Sequence, residues 1–136
     1  MRKAFVAVTL MFIALPSWAQ TQRDFDWCQA KDDPDKNIIG CTILIQKGAP
    51  YGVYHQRALA YLETKRYDEA IADFTRTIAL DPKDHSYYTL RGYAYELKGQ
   101  RDQAIADYRR AVKLNPKGSA SAKAAEAKLK ALNAKP

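Results

Sequence analysis

Few residues in this 136-residue chain could do chemistry. There are two cysteines, Cys28 and Cys41, and two histidines, His55 and His85. The cysteines stand 13 positions apart, too far for the C-x2-C of a redox pair. The histidines have no partner at ligand spacing, so no metal site is expected. His55 could titrate near neutral pH but has no adjacent nucleophile. No G-x-S-x-G, H-E-x-x-H, Walker loop or G-x-G-x-x-G occurs. Ser86, Ser119 and Ser121 each fall where a helix should start, and they read as caps. The expectation is a protein that is not an enzyme and carries no cofactor and no metal.

The elements that would position these residues start after a leader. Residues 1–19 read as a secretory signal peptide. Arg2 and Lys3 supply the positive start, Ala4 to Leu15 the apolar run, and Ser17-Trp18-Ala19 the small residues before a cut at Gln20. The run is too short for a membrane span, which needs about 20 apolar residues. The mature chain, residues 20–136, is sized for one domain. Past the cut no cysteine would be left over, which in an exported chain favours a disulfide. The formal charge is +7. Arg2 and Lys3 of the leader carry two of these charges, and residues 117–136, with five lysines and one glutamate, carry four, so the mature chain is near neutral with a basic tail. Nucleic-acid binding, which spreads basic charge over a face, is not expected.

The middle of the chain repeats. Setting Tyr51–Asp84 over His85–Gly118 aligns two 34-residue segments with 13 identities. Arg57/Arg91, Tyr61/Tyr95, Ala70/Ala104, Asp73/Asp107 and Pro82/Pro116 are among them. Tyr54, Ala58 and Tyr61 share one helical face, and Ala70, Ile71, Phe74 and Ile78 share another. Asp68 and Asp102 are placed to cap the second helix of each pair. Asp81-Pro82 and Asn115-Pro116 end it.

This pattern resembles the tetratricopeptide repeat, whose signature runs Trp, Leu, Gly, Tyr, then Ala, an aromatic and Pro. Tyr54 and Tyr88 take the Trp position, Ala58 and Gly92 the small one, and Phe74 and Tyr108 the aromatic. The departure is Arg57 and Arg91 at the Leu position. The resemblance implies an all-α solenoid of antiparallel helix pairs, about seven helices in all. Its parts would be a truncated N-terminal repeat (residues 20–50), two full repeats (51–84 and 85–118) and a C-terminal capping helix with tail (119–136). Repeat arrays need atypical units at their ends. At the C-terminal end, Ser119 to Asn133 carries a stripe of Ala122, Ala125, Leu129 and Leu132, with the lysines expected to face out. At the N-terminal end, shifting residues 24–47 by 33 superposes Cys28 on Tyr61, Asp35 on Asp68 and Cys41 on Phe74. A cysteine pair then replaces an aromatic contact between two helices. Closing that loop is worth about 3 kcal/mol in the chain-entropy model. The first helix is expected at Asp24 to Lys31.

The resemblance also implies a function, the binding of a peptide or protein in a concave groove. Carried over position by position, that face holds Gly52, His55, Gln56, Leu59, Leu62 and Glu63, then Ser86, Thr89, Leu90, Tyr93, Glu96 and Leu97. The partner-binding residues are expected at His55, Leu59, Leu62, Leu90, Tyr93 and Glu96, with Lys123 and Lys130 added from the last helix. The family's clamp for acidic carboxylate tails wants Lys and Asn where this chain has His55 and Leu59, and Asn where it has Leu90. Arg57 with Asp73 and Arg91 with Asp107 read as structural ion pairs, with ligand contact as the alternative. The whole resembles small exported bacterial repeat proteins with an N-terminal cysteine pair, periplasmic or secreted. The rival reading is a structural protein that self-associates through its repeat ends.

Overall fold

In the computed structural model the described residues are 17–49, 52–115 and 118–133, the side chain of Trp18 excepted. They form seven helices and no strand: α1 (Ser17–Cys28), α2 (Pro34–Gln46), α3 (Gly52–Glu63), α4 (Tyr67–Leu80), α5 (His85–Leu97), α6 (Arg101–Leu114) and α7 (Ala120–Asn133). Each helix packs on the next, and α5 also meets α7. The result is a helical-repeat solenoid of antiparallel pairs. The expected leader lies outside the described residues except for Ser17–Ala19, which form the first turn of α1.

Local chemistry explains most boundaries. Asp33 caps α2 by accepting from the Lys36 amide at 3.0 Å, and Pro34 fits the first turn, where no amide partner is needed. Asp84 caps α5, accepting from the Ser86 amide at 2.8 Å. Ser119 caps α7 through the Ala122 amide at 3.2 Å. Ser86 and Ser121 are therefore not caps, and the hydroxyl of Ser121 donates to Thr89 Oγ1 at 3.1 Å.

Asp68 and Asp102 are not caps either. Arg66 and Gln100 hold those positions without a side-chain bond, and the aspartates sit in the first turn, where the helix dipole favours a carboxylate. Asp68 pairs instead with Lys98 at 2.5 Å. The first helix also differs from expectation. It starts at Ser17 and ends at Cys28, where Asn37 Nδ2 of α2 donates to the Cys28 carbonyl at 2.6 Å.

The turn inside each full pair needs a left-handed residue. Gly99 has φ 80° and Lys65, at the same place one repeat earlier, has φ 60°. In both, the next amide reaches back five residues, Arg66 to the Tyr61 carbonyl and Gln100 to the Tyr95 carbonyl, each at 2.8 Å.

The core is built from three successive clusters. Tyr61, Ala70 and Phe74 fill the middle one with Ile38 of α2. Tyr88, Ala104, Tyr108, Ala125 and Leu132 fill the last one, so α7 is packed through its apolar stripe. The first is the Cys28–Cys41 disulfide with Leu44. Here the helices approach more closely than side chains allow elsewhere. A Cβ added at Gly40 would lie 2.5 Å from the Cys28 nitrogen and 2.6 Å from the Asp24 carbonyl oxygen. Gly40→Ala should therefore destabilise by about 1–3 kcal/mol, as overpacking does. Gly52→Ala, where an added Cβ meets nothing within 4 Å, should not destabilise. Urea denaturation of the two variants checks this.

Candidate functional site

Two buried clamps set the geometry of the concave face. Arg57 on α3 donates to Asp73 on α4 through Nε at 2.6 Å and Nη2 at 2.9 Å, and its Nη1 reaches Thr42 Oγ1 on α2 at 2.9 Å. One repeat later Arg91 on α5 donates to Asp107 on α6 at 2.7 and 2.8 Å and to Thr75 Oγ1 on α4 at 3.0 Å. Burial alone would lower the Arg57 pKa, but the Asp73 carboxylate outweighs it and the value is raised. Arg91 is raised by its bond to Asp107 against the same burial. Each arginine thus ties three helices together, with three of its five N–H donors spent on those helices.

With the clamps holding the pairs, α3 and α5 line an open groove of about 380 Å³. Leu59, Leu62 and Glu63 form one wall, and Leu90, Tyr93 and Leu97 the other. Tyr93 and Leu97 are 39% and 40% exposed, high for such apolar side chains. Glu96 sits beside the groove rather than in it. It accepts from the Tyr108 hydroxyl at 2.8 Å and pairs with Lys128 of α7 at 3.1 Å. Burial and the Glu96 carboxylate push the Tyr108 phenol well above the ordinary tyrosine range. The Lys128 ammonium lies 5.1 Å from the centre of the Tyr93 ring. The lysine of α7 that faces the groove is thus Lys128, and Lys123 and Lys130 are exposed away from these contacts.

His55 does not line the groove. Its ring lies 5.2 Å from Tyr87 and 6.1 Å from Phe74, inside the packing between repeats. Burial lowers its pKa, and Asp84 opposes that weakly. His85 Nε2 lies 2.7 Å from Asn115 Nδ2, at the junction of α5 with the end of α6. Among the described residues no three His, Cys, Asp or Glu side chains stand together as a metal ion would need. None of their helices is long and apolar enough to cross a membrane.

Paired helices, the small residues Ala58, Gly92, Ala70 and Ala104 where they cross, and a left-handed turn within each pair are what a helical-repeat family would show. Residues 55–119 match the tetratricopeptide repeat. They belong to that family. No curated protein sequence matches the chain. Among solved structures, the tetratricopeptide-repeat domain of Arabidopsis OM64 is 29% identical, with a TM-score of 0.66 over 84% of this chain and 93% of that one. The second such domain of human RPAP3, solved with the HSP70 peptide SGPTIEEVD, is 25% identical, with a TM-score of 0.70 over 87% and 98%. PcrH, solved with the chaperone-binding region of PopD, shares the fold at 18% identity, with a TM-score of 0.70 over 91% and 98%.

Within the tetratricopeptide-repeat frame, sequence reasoning missed the threonines. Thr42 and Thr75 are 33 positions apart, the same shift that aligns the cysteines with the aromatics. That register is the signal that could have found them. His55 supplies a test of the packing between repeats. Its folded-state pKa is depressed, so at mildly acid pH the unfolded chain binds the proton more readily. The stability from neutral His55 is present above its unfolded pKa of about 6.5 and is lost as pH falls below it. The melting temperature of wild type should fall more steeply than that of His55→Leu between about pH 6.5 and 5. Parallel slopes in differential scanning fluorimetry would contradict the burial.

Proposed function

We propose that this chain is an exported protein-interaction module that holds a peptide or protein partner along the concave tetratricopeptide-repeat face, without turnover. The observation that carries the reading is the groove between α3 and α5. It exposes Tyr93 and Leu97, while the Glu96 carboxylate beside it is held by Lys128. Interface energy concentrates in a few apolar and aromatic anchors, with Tyr among the favoured types. The likeness to the RPAP3 domain, which was solved with a peptide, supports the same class of work. The partner is not an acidic carboxylate tail of the HSP70 kind. The positions that would grip one hold His55, Leu59 and Leu90, and His55 is packed between repeats.

The layout that goes with this reading is a leader (1–19), a truncated stapled repeat (20–50), repeats at 51–84 and 85–118, and a cap (119–136). The leader and the Cys28–Cys41 bond together support an oxidising compartment, periplasmic or extracellular. A second reading, self-association through the repeat ends, draws on Ile39 of α2, which is 49% exposed near the N-terminal end. Light scattering across a concentration series separates the two readings.

The direct test is selection from a displayed library of unstructured peptides on immobilised mature protein. Peptides selected on wild type should bind Tyr93→Ala more weakly by about 1–3 kcal/mol, with its melting temperature unchanged. Selection of no sequence, or binding indifferent to Tyr93→Ala, would contradict the assignment.

A further inference from the structure

The groove does not stop at α3. A second depression of about 170 Å³ lies between the α1–α2 turn and α3, lined by Lys31, Gln56, Leu59 and Glu63 among others. A third, of about 240 Å³, lies between α1 and α3 and is lined by Phe25, Cys28, Gln29, Val53 and Gln56. Neighbouring depressions share residues. Leu59 and Glu63 belong to the first and second, and Gln56 to the second and third. They form one path along the first helices of three successive units. Phe25, 51% exposed, stands at one end, and Tyr93 and Leu97 at the other.

We propose that the concave site continues onto α1 and takes an extended, uncharged segment with apolar side chains. Phe25 anchors one end and Tyr93 the other, and the Cys28–Cys41 bond holds Phe25 in place. This rests on reading the concave face as a peptide site.

The charges select the occupant. Those on or beside the path are Lys31, Glu63, Glu96 and Lys128, two of each sign, and the last two pair with each other at 3.1 Å. Arg57 and Arg91 are charge-paired with their aspartates. Lys31 and Glu63 are exposed and of opposite sign, so the path carries no net charge to draw an ionised ligand, whereas an apolar side chain gains by leaving water. Gln29 and Gln56 offer side-chain amides that both donate to and accept from a peptide backbone.

The length follows from the helices. Two steps between first helices, each about 10 Å, span on the order of 20 Å. That is about six extended residues.

The role of the disulfide follows from how α1 is held. The helix rests on α2 and barely touches α3. Phe25 stands one turn before Cys28, on the same face, and Cys28 itself lines the depression beside it. The bond to Cys41 therefore fixes where Phe25 meets the path.

Fluorescence anisotropy on the oxidised mature protein tests this. The probes are fluorescein-labelled, acetylated and amidated octapeptides alternating serine with leucine, phenylalanine or tyrosine, and SGPTIEEVD as the acidic comparison. The best neutral probe should weaken about tenfold on Tyr93→Ala and again on Phe25→Ala. A four-residue version of it should lose its sensitivity to one of the two substitutions. Dithiothreitol should weaken the octapeptide as Phe25→Ala does, and Phe25→Ala should add nothing further in the reduced protein. Gln29→Glu, at an exposed position, should weaken neutral probes as well, so the result does not hang on one variant.

If Tyr93→Ala weakens binding but Phe25→Ala and Gln29→Glu do not, the extension onto α1 falls while the peptide site stands. If SGPTIEEVD binds as well as the neutral probes, the uncharged occupant falls. If no probe binds wild type, both the extension and the peptide site fall.

Discussion

The buried arginine–aspartate clamp is the contact that the rest of the structure depends on. A guanidinium and a carboxylate taken out of water are tolerated only when both are nearly fully hydrogen-bonded. Asp73 is 1% exposed and receives three donors, two from Arg57 and one from Arg76 at 2.7 Å. Arg57 spends its remaining arm on Thr42. The geometry is satisfied in one relative placement of α2, α3 and α4, and its copy at Thr75, Arg91 and Asp107 does the same for α4, α5 and α6. Apolar packing drives the helices together but is non-directional. The forked bonds choose the register, and the groove walls inherit it.

The clamp also explains why the two ends are built differently. In the 33-residue register Asp24 falls where Arg57 should be, and Gly40 where Asp73 should be. The N-terminal pair therefore has no clamp. The Asp24 carboxylate is met by Lys47 at 2.7 Å, the backbones of α1 and α2 touch at Gly40, and the Cys28–Cys41 bond closes the unit. At the other end Ala125 falls where the next arginine would be. The cap is held instead by Ala122, Ala125 and Leu132, with Lys128 reaching back to Glu96. Each end holds its single remaining neighbour without the arginine–aspartate fork.

Much of this was legible in the residues. The 34-residue period gave the helix pairs, the turns and the partners Arg57 with Asp73. The cysteine spacing pointed to the 33-residue shift at which Thr42 and Thr75 meet the two arginines in the same way. What failed did so for identifiable reasons. Asp68 and Asp102 look like caps because aspartate favours that role, but it also favours the first turn, and only the backbone distinguishes them. His55 occupies a position that the family turns to the groove, yet Tyr87, on α5 of the next repeat, draws the ring into the packing between repeats. Lys128 was set among outward lysines. A long, flexible side chain reaches where its charge is met, and Glu96 beside the Tyr93 ring provides that place.

The central claim is that the clamp, not the apolar seam alone, fixes how neighbouring pairs sit. A double-mutant cycle on Arg91 and Asp107 measures it most directly. Removing one partner strands the other charge in a site where Asp107 is 6% exposed. Arg91→Leu or Asp107→Leu alone should therefore cost about 3–5 kcal/mol in urea denaturation. The double variant, with both charges gone, should be no less stable than the milder single variant, and its coupling energy should be at least about 2 kcal/mol. Additive losses, with the double variant the least stable of the three, would contradict the account. They would mean that the two side chains stabilise their helices separately and that the repeats are held in register by something else.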